Sequence, residues 1–353
     1  MKILSIVGAR PQFVKLAPMA SAIEKSGHEH VIVHTGQHYD VNMSDVFFED
    51  LRIPAPDVHL AVGSATHGRQ TGDMLARLDG VLEETQPDWV LVYGDTNSTV
   101  AGALAAVKMH IPLAHLEAGL RSFNRRMPEE HNRVLTDHAA DLCLAPTEGA
   151  MRQLASEGLA DRSILVGDVM TDVLLSVSSA AQEGRNVLPS GVDASRPYYV
   201  STLHRADNTD DPDRLGAIFS ALSQLDTPVL LLAHPRLRAK AEEQGLELNA
   251  GAVVTADPMP YPALVRAIMG ARGVITDSGG LQKEAFLLRV PCTTLRSETE
   301  WTETIDLGWN ALADPAGLVN AVMRPRPAPT DAAPYGDGHA AERVVHEIEA
   351  AQV

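Results

Sequence analysis

The sequence predicts an α/β fold made of two Rossmann-like, doubly wound domains, each built around a parallel sheet. Three observations predict it. Short aliphatic and β-branched runs alternate with longer helical patterns, which is typical of βαβ units. The alternation starts again after a polar stretch at residues 182–196. The length of 353 residues also fits two domains of about 150 residues each.

Each predicted strand is a short apolar run bounded by polar residues, glycine or proline. In the first half the strands are Lys2–Val7, His30–His34, Trp89–Tyr93, Leu113–Leu116, Leu142–Ala145 and Ile164–Val166. In the second half they are Tyr198–Thr202, Val229–Ala233, Val253–Ala256, Gly273–Thr276 and Pro291–Leu295. A proline-rich segment at 324–329 ends this pattern before a last helix at about 340–350. We therefore expect domains at 1–180 and 190–335, followed by a helical segment at 336–353.

Composition and charge exclude several classes of protein. The net charge is −17, with 29 Lys and Arg against 46 Asp and Glu. A nucleic-acid backbone or an anionic membrane surface would be repelled by such a chain. Cys143 and Cys292 lie in apolar runs, which favours buried thiols in a reducing compartment over a disulfide framework. No apolar run approaches the roughly 18 residues of a membrane span, so we expect a cytoplasmic protein.

The segment from Thr276 to Glu284 is the most informative of the chain. An apolar strand runs into Ser278, Gly279 and Gly280, where a helix is predicted to begin. Exposed N–H groups at a helix start bind anions, and paired glycines let a phosphate approach the backbone closely. Glu284 lies near enough along this helix to reach a sugar hydroxyl. The segment indicates a nucleoside diphosphate site, and the alternative is a tight turn that needs glycine at positive φ.

The end of the first strand carries two cations, Arg10 and Lys15. Arg10 can fork onto a phosphate, and Lys15 can add a point charge, although both also suit a solvated helix start after Pro11. Neither a Gly-x-Gly-x-x-Gly motif nor a P-loop occurs in the chain. Their absence argues against a dinucleotide-binding dehydrogenase and a P-loop enzyme.

Polar side chains also follow the second and third predicted strands. Gln37 and His38 form a polar turn that suits hydrogen bonding to a sugar or nucleotide, or an ordinary turn. Asp95 directly follows Trp89–Tyr93 and Gly94. It can act either as a helix cap or as a general acid or base.

Two further carboxylates follow the fourth strand. Glu117 lies among apolar residues, where burial would raise its pKa and suit it to proton transfer. Glu129 follows Pro128, a combination that is also a good first helical turn. The neighbouring Arg133 and other arginines are less easily explained by a helix start alone. Asp95, Glu117 and Glu129 therefore form a candidate set for abstraction and return of a proton.

In the second half, His204 and Arg205 lie at a strand end. A lone histidine is more often a structural hydrogen-bonding group, but facing the Ser278 anion site it would suit a diphosphate. The 14 histidines are dispersed over different loops, and no helical His pair has a third ligand nearby. A metal site is therefore not predicted.

Together these residues carry a resemblance to the non-hydrolysing UDP-N-acetylglucosamine 2-epimerases, in eight motifs spread in order over nearly the whole chain. The motifs are Gly8-Ala-Arg-Pro-Gln, Thr35-Gly-Gln-His38, Gly94-Asp-Thr, His115-Leu-Glu-Ala-Gly-Leu-Arg121, Pro128-Glu-Glu-His-Asn-Arg133, Thr202-Leu-His-Arg205, Asp277-Ser-Gly-Gly280 and Pro334-Tyr-Gly-Asp-Gly338.

The resemblance implies a B-type glycosyltransferase fold, with UDP in an interdomain cleft and the last helix returning to the first domain. It implies inversion of carbon 2 of UDP-GlcNAc to give UDP-ManNAc, by elimination of UDP to a 2-acetamidoglucal and re-addition. It further implies a homodimer and no metal or redox cofactor. The diphosphate would leave with help from positive groups and backbone dipoles, in a closed cleft that excludes water.

Roles follow from the resemblance residue by residue. Asp95, Glu117 and Glu129 match the acid/base carboxylates, and His204 matches a catalytic-site histidine. The residues that match substrate contacts are Arg10, Lys15, Arg133, Ser278, Gly279, Gly280 and Glu284, with Glu284 on the ribose. Those that match a neighbouring activator site for a second UDP-GlcNAc are Gln37, His38 and Arg205.

Departures from the family pattern leave more than one substrate and reaction open. Ala206 and Asp207 replace the commoner Arg-Glu after His204-Arg205, and the loop 122–127 contains Arg125 and Arg126. These features resemble branches that act on modified sugars such as UDP-2,3-diacetamido-glucuronate. Three other classes stay open. A hydrolysing epimerase would release ManNAc and UDP from the same fold, a glycosyltransferase would share the nucleotide site without needing three carboxylates, and a nucleotide-sugar sensor would keep only the Ser278 site.

Overall fold

The computed structural model describes residues 1–37, 53–182 and 187–351, except for the side chains of Arg10 and residues 180–182. The chain forms two compact units. One consists of Met1–Val173 together with Ala333–Val353, and the other of Leu174–Ala332.

The first unit is built on a seven-stranded parallel sheet in the order β3-β2-β1-β4-β5-β6-β7. Its strands are β1 Lys2–Val7, β2 Glu29–His34, β3 Val58–His59, β4 Trp89–Tyr93, β5 Leu113–Leu116, β6 Leu142–Ala145 and β7 Ser163–Leu165. Each adjacent pair is parallel, and β1 runs between β2 and β4. The chain order therefore reverses between β1 and β4, at the topological switch point of the sheet.

Continuous apolar runs make the central strands of this unit, because helices cover both faces of the sheet. The helices that begin in it are α1 Arg10–Lys25, α2 His67–Thr85, α3 Asn97–Lys108, α4 Pro128–Ala139, α5 Glu148–Ser156, α6 Val169–Gln182 and α14 Ala340–Ala350. One core layer joins Phe13 and Leu16 of α1 to Val344 and Ile348 of α14. The other joins Met74 and the rest of the inner face of α2 to α3.

The second unit has a six-stranded parallel sheet in the order β10-β9-β8-β11-β12-β13. Its strands are β8 Tyr199–Thr202, β9 Val229–Leu232, β10 Val253–Ala256, β11 Gly273–Thr276, β12 Cys292–Thr294 and β13 Asn310–Leu312. Its helices are α7 Ala206–Thr209, α8 Pro212–Ser223, α9 Pro235–Glu243, α10 Tyr261–Met269, α11 Gly279–Leu287, α12 Thr302–Asp306 and α13 Leu318–Val322. The switch point of this sheet lies between β8 and β11.

The structure confirms the predicted fold class of two doubly wound parallel sheets. Strand boundaries differ by small shifts, as in β12, which begins one residue after Pro291 because proline has no N–H for the ladder. β3 and β13 were not predicted. They have two and three residues, too few for a pattern to identify.

Both cysteines are buried and free, as predicted from their apolar surroundings. Burial raises the pKa of Cys143 and of Cys292 to about 12, so both thiols are protonated at neutral pH. Within the described ranges, no helix has the length and apolar composition to cross a membrane.

Candidate functional site

Both groups of candidate residues lie at the switch points of their sheets. In the first unit Gly8 follows β1 and Asp95 follows β4, which are neighbouring strands. In the second unit His204 follows β8 and Ser278 follows β11, which are also neighbours. Ligands of open α/β sheets bind beyond the carboxyl ends of the strands at this point, so each sheet presents its candidate residues where binding is expected.

The loop after β1 is packed against the loop after β4 by Gly8 and Gln12. A Cβ atom on Gly8 would lie 1.9 Å from Thr35 Oγ1 and 2.3 Å from Ser98 Oγ, so only glycine fits there. Gln12 Oε1 accepts hydrogen bonds from the Gly8 and Ala9 amides, while its Nε2 donates to the Tyr93 carbonyl. Gln12 ends the first family motif, but its role depends on a contact across 81 residues that no local pattern signals.

Glu117 and Lys15 form an ion pair at the carboxyl end of β5. Their side chains are only 15% and 9% exposed. Glu117 has φ of +74°, a left-handed conformation that costs a non-glycine residue roughly 1 kcal/mol or more. A Cβ on Gly94 would lie 3.0 Å from Glu117 Oε2, so the glycine leaves room for the carboxylate. The pair holds Glu117 in a strained, defined position.

Electrostatics keep Lys15 charged despite its burial. Burial alone would lower the pKa of Lys15, but the Glu117 carboxylate outweighs it, and Asp168 and Asp95 add to the effect. The net result is a raised pKa. At neutral pH this buried ammonium therefore faces several carboxylates at the end of the sheet.

Asp95 is held by Arg133 in a fork-shaped ion pair. Arg133 Nε and Nη2 lie 2.9 and 2.6 Å from Asp95 Oδ2, and Asn132 Nδ2 donates to the Asp95 carbonyl. Burial opposes the charge of Arg133, but Asp95 and Glu130 raise its pKa. The side chain that caps α3 is Thr96, so the alternative of Asp95 as a helix cap is wrong.

Glu129 and its neighbour Glu130 take different roles in the first turn of α4. Glu130 is buried and accepts hydrogen bonds from the amides of Ser122 and Phe123 at 2.8 Å each, which fixes the loop before the helix. Glu129 is partly exposed. The structure gives it no hydrogen bond to the described residues, so its carboxylate is available at this helix start.

A buried ionic network holds the two loops that carry Asp95 and Glu117. Asp137 is fully buried and lies 2.6 Å from His115 Nδ1 and 2.7 Å from Arg121 Nη1. It also accepts a hydrogen bond from the Gly119 amide. His115 Nε2 lies 2.7 Å from the Gly94 carbonyl. Asp137 thus connects the two loops that carry these candidates. Sequence reasoning missed it because it lies in the last turn of α4 and not at the end of a strand.

Burial and ion pairing act in opposite directions on Asp137. Burial raises the pKa of the Asp137 carboxyl. Its interactions with His115 and Arg121 lower that pKa by more than burial raises it, so the net shift is downward. Arg121 is in turn paired with Glu157 through its Nε and Nη2, at 2.9 and 2.7 Å. The network is therefore charged in the folded protein.

In the second unit, Asp277 holds the loop that carries His204. Its Oδ1 lies 2.9 Å from His204 Nδ1, and its carboxylate accepts from the amides of His204 and Arg205. Burial would raise the pKa of Asp277, but these bonds lower it. The His204 side chain is 52% exposed, so the ring is fixed by one nitrogen and presented to solvent. Asp277 begins a family motif, but the sequence alone suggested no role for it.

Ser278 is the N-cap of α11, with its Oγ accepting from the Leu281 amide. Neither Gly279 nor Gly280 has positive φ, so the alternative of a left-handed turn is wrong. A Cβ on Gly280 would meet nothing within 4 Å, which leaves the helix start open to a ligand. Glu284 lies one turn further on, where its Oε1 accepts from the Tyr261 hydroxyl.

The remaining candidates are described only in part. Gln37 Oε1 accepts hydrogen bonds from the amide and hydroxyl of Ser98, so its carboxamide is positioned by α3. Arg205 is fixed through its backbone. His38 and the side chain of Arg10 lie outside the described residues. Among the residues that the structure does describe, no group of three His, Cys, Asp or Glu side chains could hold a metal ion.

Comparisons with known proteins agree with this geometry. A family model described as UDP-N-acetylglucosamine 2-epimerase matches residues 21–349. The chain is 45% identical to the UDP-2,3-diacetamido-2,3-dideoxy-D-glucuronate 2-epimerase of Pseudomonas aeruginosa, over 99% of both chains. It is 40% identical to the UDP-N-acetylglucosamine 2-epimerase of Methanocaldococcus jannaschii, over 98% of both chains.

A solved structure is also similar over nearly the whole chain. It is the crystal structure of the Methanocaldococcus jannaschii UDP-GlcNAc 2-epimerase in complex with UDP-GlcNAc and UDP. The TM-score is 0.87 and the identity 40%, with 99% of this chain and 100% of that chain covered. The similarity extends over both units, and with it the B-type glycosyltransferase fold that the motifs predicted.

Proposed function

The chain belongs to the UDP-N-acetylglucosamine 2-epimerase family, and we propose that it interconverts UDP-GlcNAc and UDP-ManNAc without hydrolysis. It is thus an isomerase that acts on a nucleotide sugar. Its relatives' names concern the same inversion of carbon 2 on different sugars. The reaction is therefore better supported than the identity of the sugar.

The observation that carries the proposal is the pair of cation-bound carboxylates at the carboxyl ends of β4 and β5, two neighbouring strands of the first sheet. Glu117 is held by Lys15 and Asp95 by Arg133. Ion pairing holds both carboxylates in fixed positions, as acid/base catalysis requires. With Glu129, they form the set proposed to remove a proton from carbon 2 on one face and return it on the other.

The second unit supplies groups suited to the leaving diphosphate. The helix start at Ser278 to Gly280, which is open at Gly280, directs backbone N–H groups at an anion. His204 is held by Asp277 with half of its side chain exposed. In the proposed reaction the carbon 2 proton passes to a carboxylate, and its electron pair forms the carbon 1–carbon 2 double bond. The bond from carbon 1 to the phosphate oxygen breaks, and UDP leaves with the two electrons of that carbon–oxygen bond. Return of a proton to the opposite face and re-addition of UDP complete the inversion.

The first test is incubation of the purified protein with UDP-GlcNAc in deuterated water, followed by proton NMR. UDP-ManNAc with deuterium at carbon 2 is the expected product. Free ManNAc and UDP would indicate a hydrolysing enzyme instead. Absence of deuterium at carbon 2 in any epimerised product would contradict the proton-transfer mechanism.

The same assay tests the carboxylates. Glu129→Gln is expected to lower kcat by about a hundredfold or more, the usual contribution of a general acid or base. Glu148→Gln is the matched control, because Glu148 also lies in the first turn of a helix but is exposed. Equal activity of both variants would remove Glu129 from the catalytic set.

A second candidate substrate is UDP-2,3-diacetamido-2,3-dideoxy-glucuronate. The Pseudomonas aeruginosa relative that bears this sugar in its name is 45% identical to the chain. Arg125 and Arg126 are exposed in the loop that Glu130 anchors, and within the described residues neither forms an ion pair. If the sugar carries a carboxylate, Arg125→Gln with Arg126→Gln should lower kcat/KM for it by about tenfold. Activity on UDP-GlcNAc should not change.

Three further features belong to this proposal. Gln37, His38 and Arg205 would bind a second UDP-GlcNAc as activator, which a sigmoidal rate dependence on substrate would reveal.

The family resemblance supports a homodimer, which light scattering on the purified protein would test. Buried free thiols suit a reducing compartment, and we place the enzyme in the cytoplasm.

A further inference from the structure

A pocket of about 320 Å³ lies at the amino-terminal ends of the strands of the second sheet. Ser278 and His204 follow the carboxyl ends of the same sheet. The pocket opens where β8, β11 and β12 begin, and the segment after α13 closes one side. Its volume is at the lower end of the range for small-molecule sites, roughly 300–1,000 Å³.

Three guanidinium groups line this pocket, and no Asp or Glu does. In the part of the chain that the structure describes, neither Arg272 nor Arg324 nor Arg326 forms an ion pair with a carboxylate. Such a concentration of positive charge is unexpected in a chain of net charge −17. Like charges that share one pocket repel each other, so an anion between them would be stabilising.

Arg324 is the clearest case of an arginine whose hydrogen-bond partners in the described residues carry no negative charge. It donates to four neutral oxygens, those of Thr293 Oγ1 and the carbonyls of Ala321, Cys292 and Trp309. Burial lowers the pKa of Arg324, whereas carboxylate partners raise the pKa of Arg121 and Arg133. Arg324 is thus a half-buried cation that is held in place but not neutralised.

Arg272 and Arg326 are exposed but positioned by the protein. Arg272 donates to Thr227 Oγ1 at 3.3 Å and stacks on the ring of Tyr199. Arg326 donates to the Arg289 carbonyl at 2.8 Å and lies over Trp309. Since a guanidinium has five N–H donors, each retains donors for a ligand. The Thr227 hydroxyl, which accepts from Arg272, donates in turn to Asp226 Oδ1.

Apolar side chains also line the pocket. The Tyr199 ring, Pro291, Val322 and the half-exposed Met323 face the same space. We propose that this pocket binds an organic phosphate, with the phosphate on Arg272 and Arg326 beside the charge of Arg324, and with an apolar or ring portion against Tyr199 and Met323. Guanidinium groups match the geometry of phosphate oxygens and bind them in pairs of hydrogen bonds.

Calorimetric titration with phenyl phosphate tests the proposal on the whole protein, with saturating UDP present to fill the nucleotide site. Saturable binding is expected, and Arg272→Gln or Arg326→Gln should weaken it by at least about tenfold, the effect of one lost charge-assisted hydrogen bond. Arg324 is not substituted, because its hydrogen bonds to Thr293 and Cys292 hold the segment after α13 against β12. Arg238→Gln is the matched control, since it removes an exposed arginine of the same unit that is paired with Asp257.

Three outcomes would overturn the proposal. They are no saturable binding, equal affinity in the wild type and the Arg272 and Arg326 variants, and equal affinity for phenol. Inorganic phosphate that binds as tightly as phenyl phosphate would refute the apolar part of the site. The epimerase activity of both variants without added phosphate should match that of the wild type, so this test and that of the proposed reaction have separate outcomes.

Discussion

At the scale of single residues, the proposed site consists of charged side chains whose partners are distant in sequence. Asp95, Glu117 and His204 can be recognised from their positions after apolar runs, because the carboxyl ends of parallel strands are where ligands bind. Asp137 and Asp277 cannot, since their importance comes from contacts with loops that the fold brings to them. The sequence therefore identifies the groups that directly follow strands better than the buried groups that hold them.

Asp137 provides a prediction about pH. Its pKa is lowered in the folded protein, so its ionised form stabilises the fold above the unfolded value of about 3.9. That contribution is lost as the pH falls through the lower folded value. Asp137→Asn should destabilise the protein by about 3–5 kcal/mol at pH 7, because Arg121 and His115 lose their buried partner.

Urea unfolding at pH 7 and at about pH 3.5 checks this expectation. The difference in stability between the wild type and Asp137→Asn should shrink at the lower pH. Asp161→Asn is the control, since Asp161 is exposed in the turn before β7 and should have little effect at either pH. A difference that stays constant with pH would show that the ionisation of Asp137 does not stabilise the fold.

At the scale of elements, apolar runs predict the central strands well because these are buried on both faces. β1, β4 and β11 have the predicted boundaries for this reason. β3 and β13 lie at sheet edges and are short, so that pairing with a neighbour, rather than composition, defines them. The start of α11 was also predicted, because serine and paired glycines after a buried strand are typical of a helix N-terminus.

At the start of α11, one substitution can weaken anion binding without destabilising the helix. Gly280→Ala adds a methyl group to open space and should leave stability unchanged or raise it by about 0.5 kcal/mol through helix propensity. The same methyl group would obstruct a phosphate that approaches the backbone. We expect UDP to bind at least about tenfold more weakly, a loss of about 1.4 kcal/mol.

Gly68→Ala is the matched control for this measurement. Gly68 is also the second residue of its helix, and a Cβ there would also meet nothing within 4 Å. Calorimetric titration with UDP should give the wild-type Kd for Gly68→Ala and a weaker one for Gly280→Ala. Wild-type affinity in both variants would place the diphosphate elsewhere.

At the scale of the whole molecule, the chain returns to its first unit at the end. The inner face of α14 contributes Val344, Val345 and Ile348 to the same core layer as Phe13 and Leu16, and its first amides are capped by Asp172. The boundaries of this helix were predicted from its pattern, but the layer that it joins was implied only by the family resemblance. A helical pattern shows which face is apolar and not what covers it.

This arrangement predicts where a core defect in the last helix takes effect. Ile348 is fully buried, so Ile348→Ala should cost about 2–5 kcal/mol through lost burial and the cavity left behind. Hydrogen exchange read by mass spectrometry should show faster exchange in β1 and α1, at the other end of the chain, while β8 and β9 keep their protection. His346→Ala, at an exposed position of the same helix, should leave exchange unchanged. Faster exchange confined to α14 itself would mean that the first unit is stable without this helix.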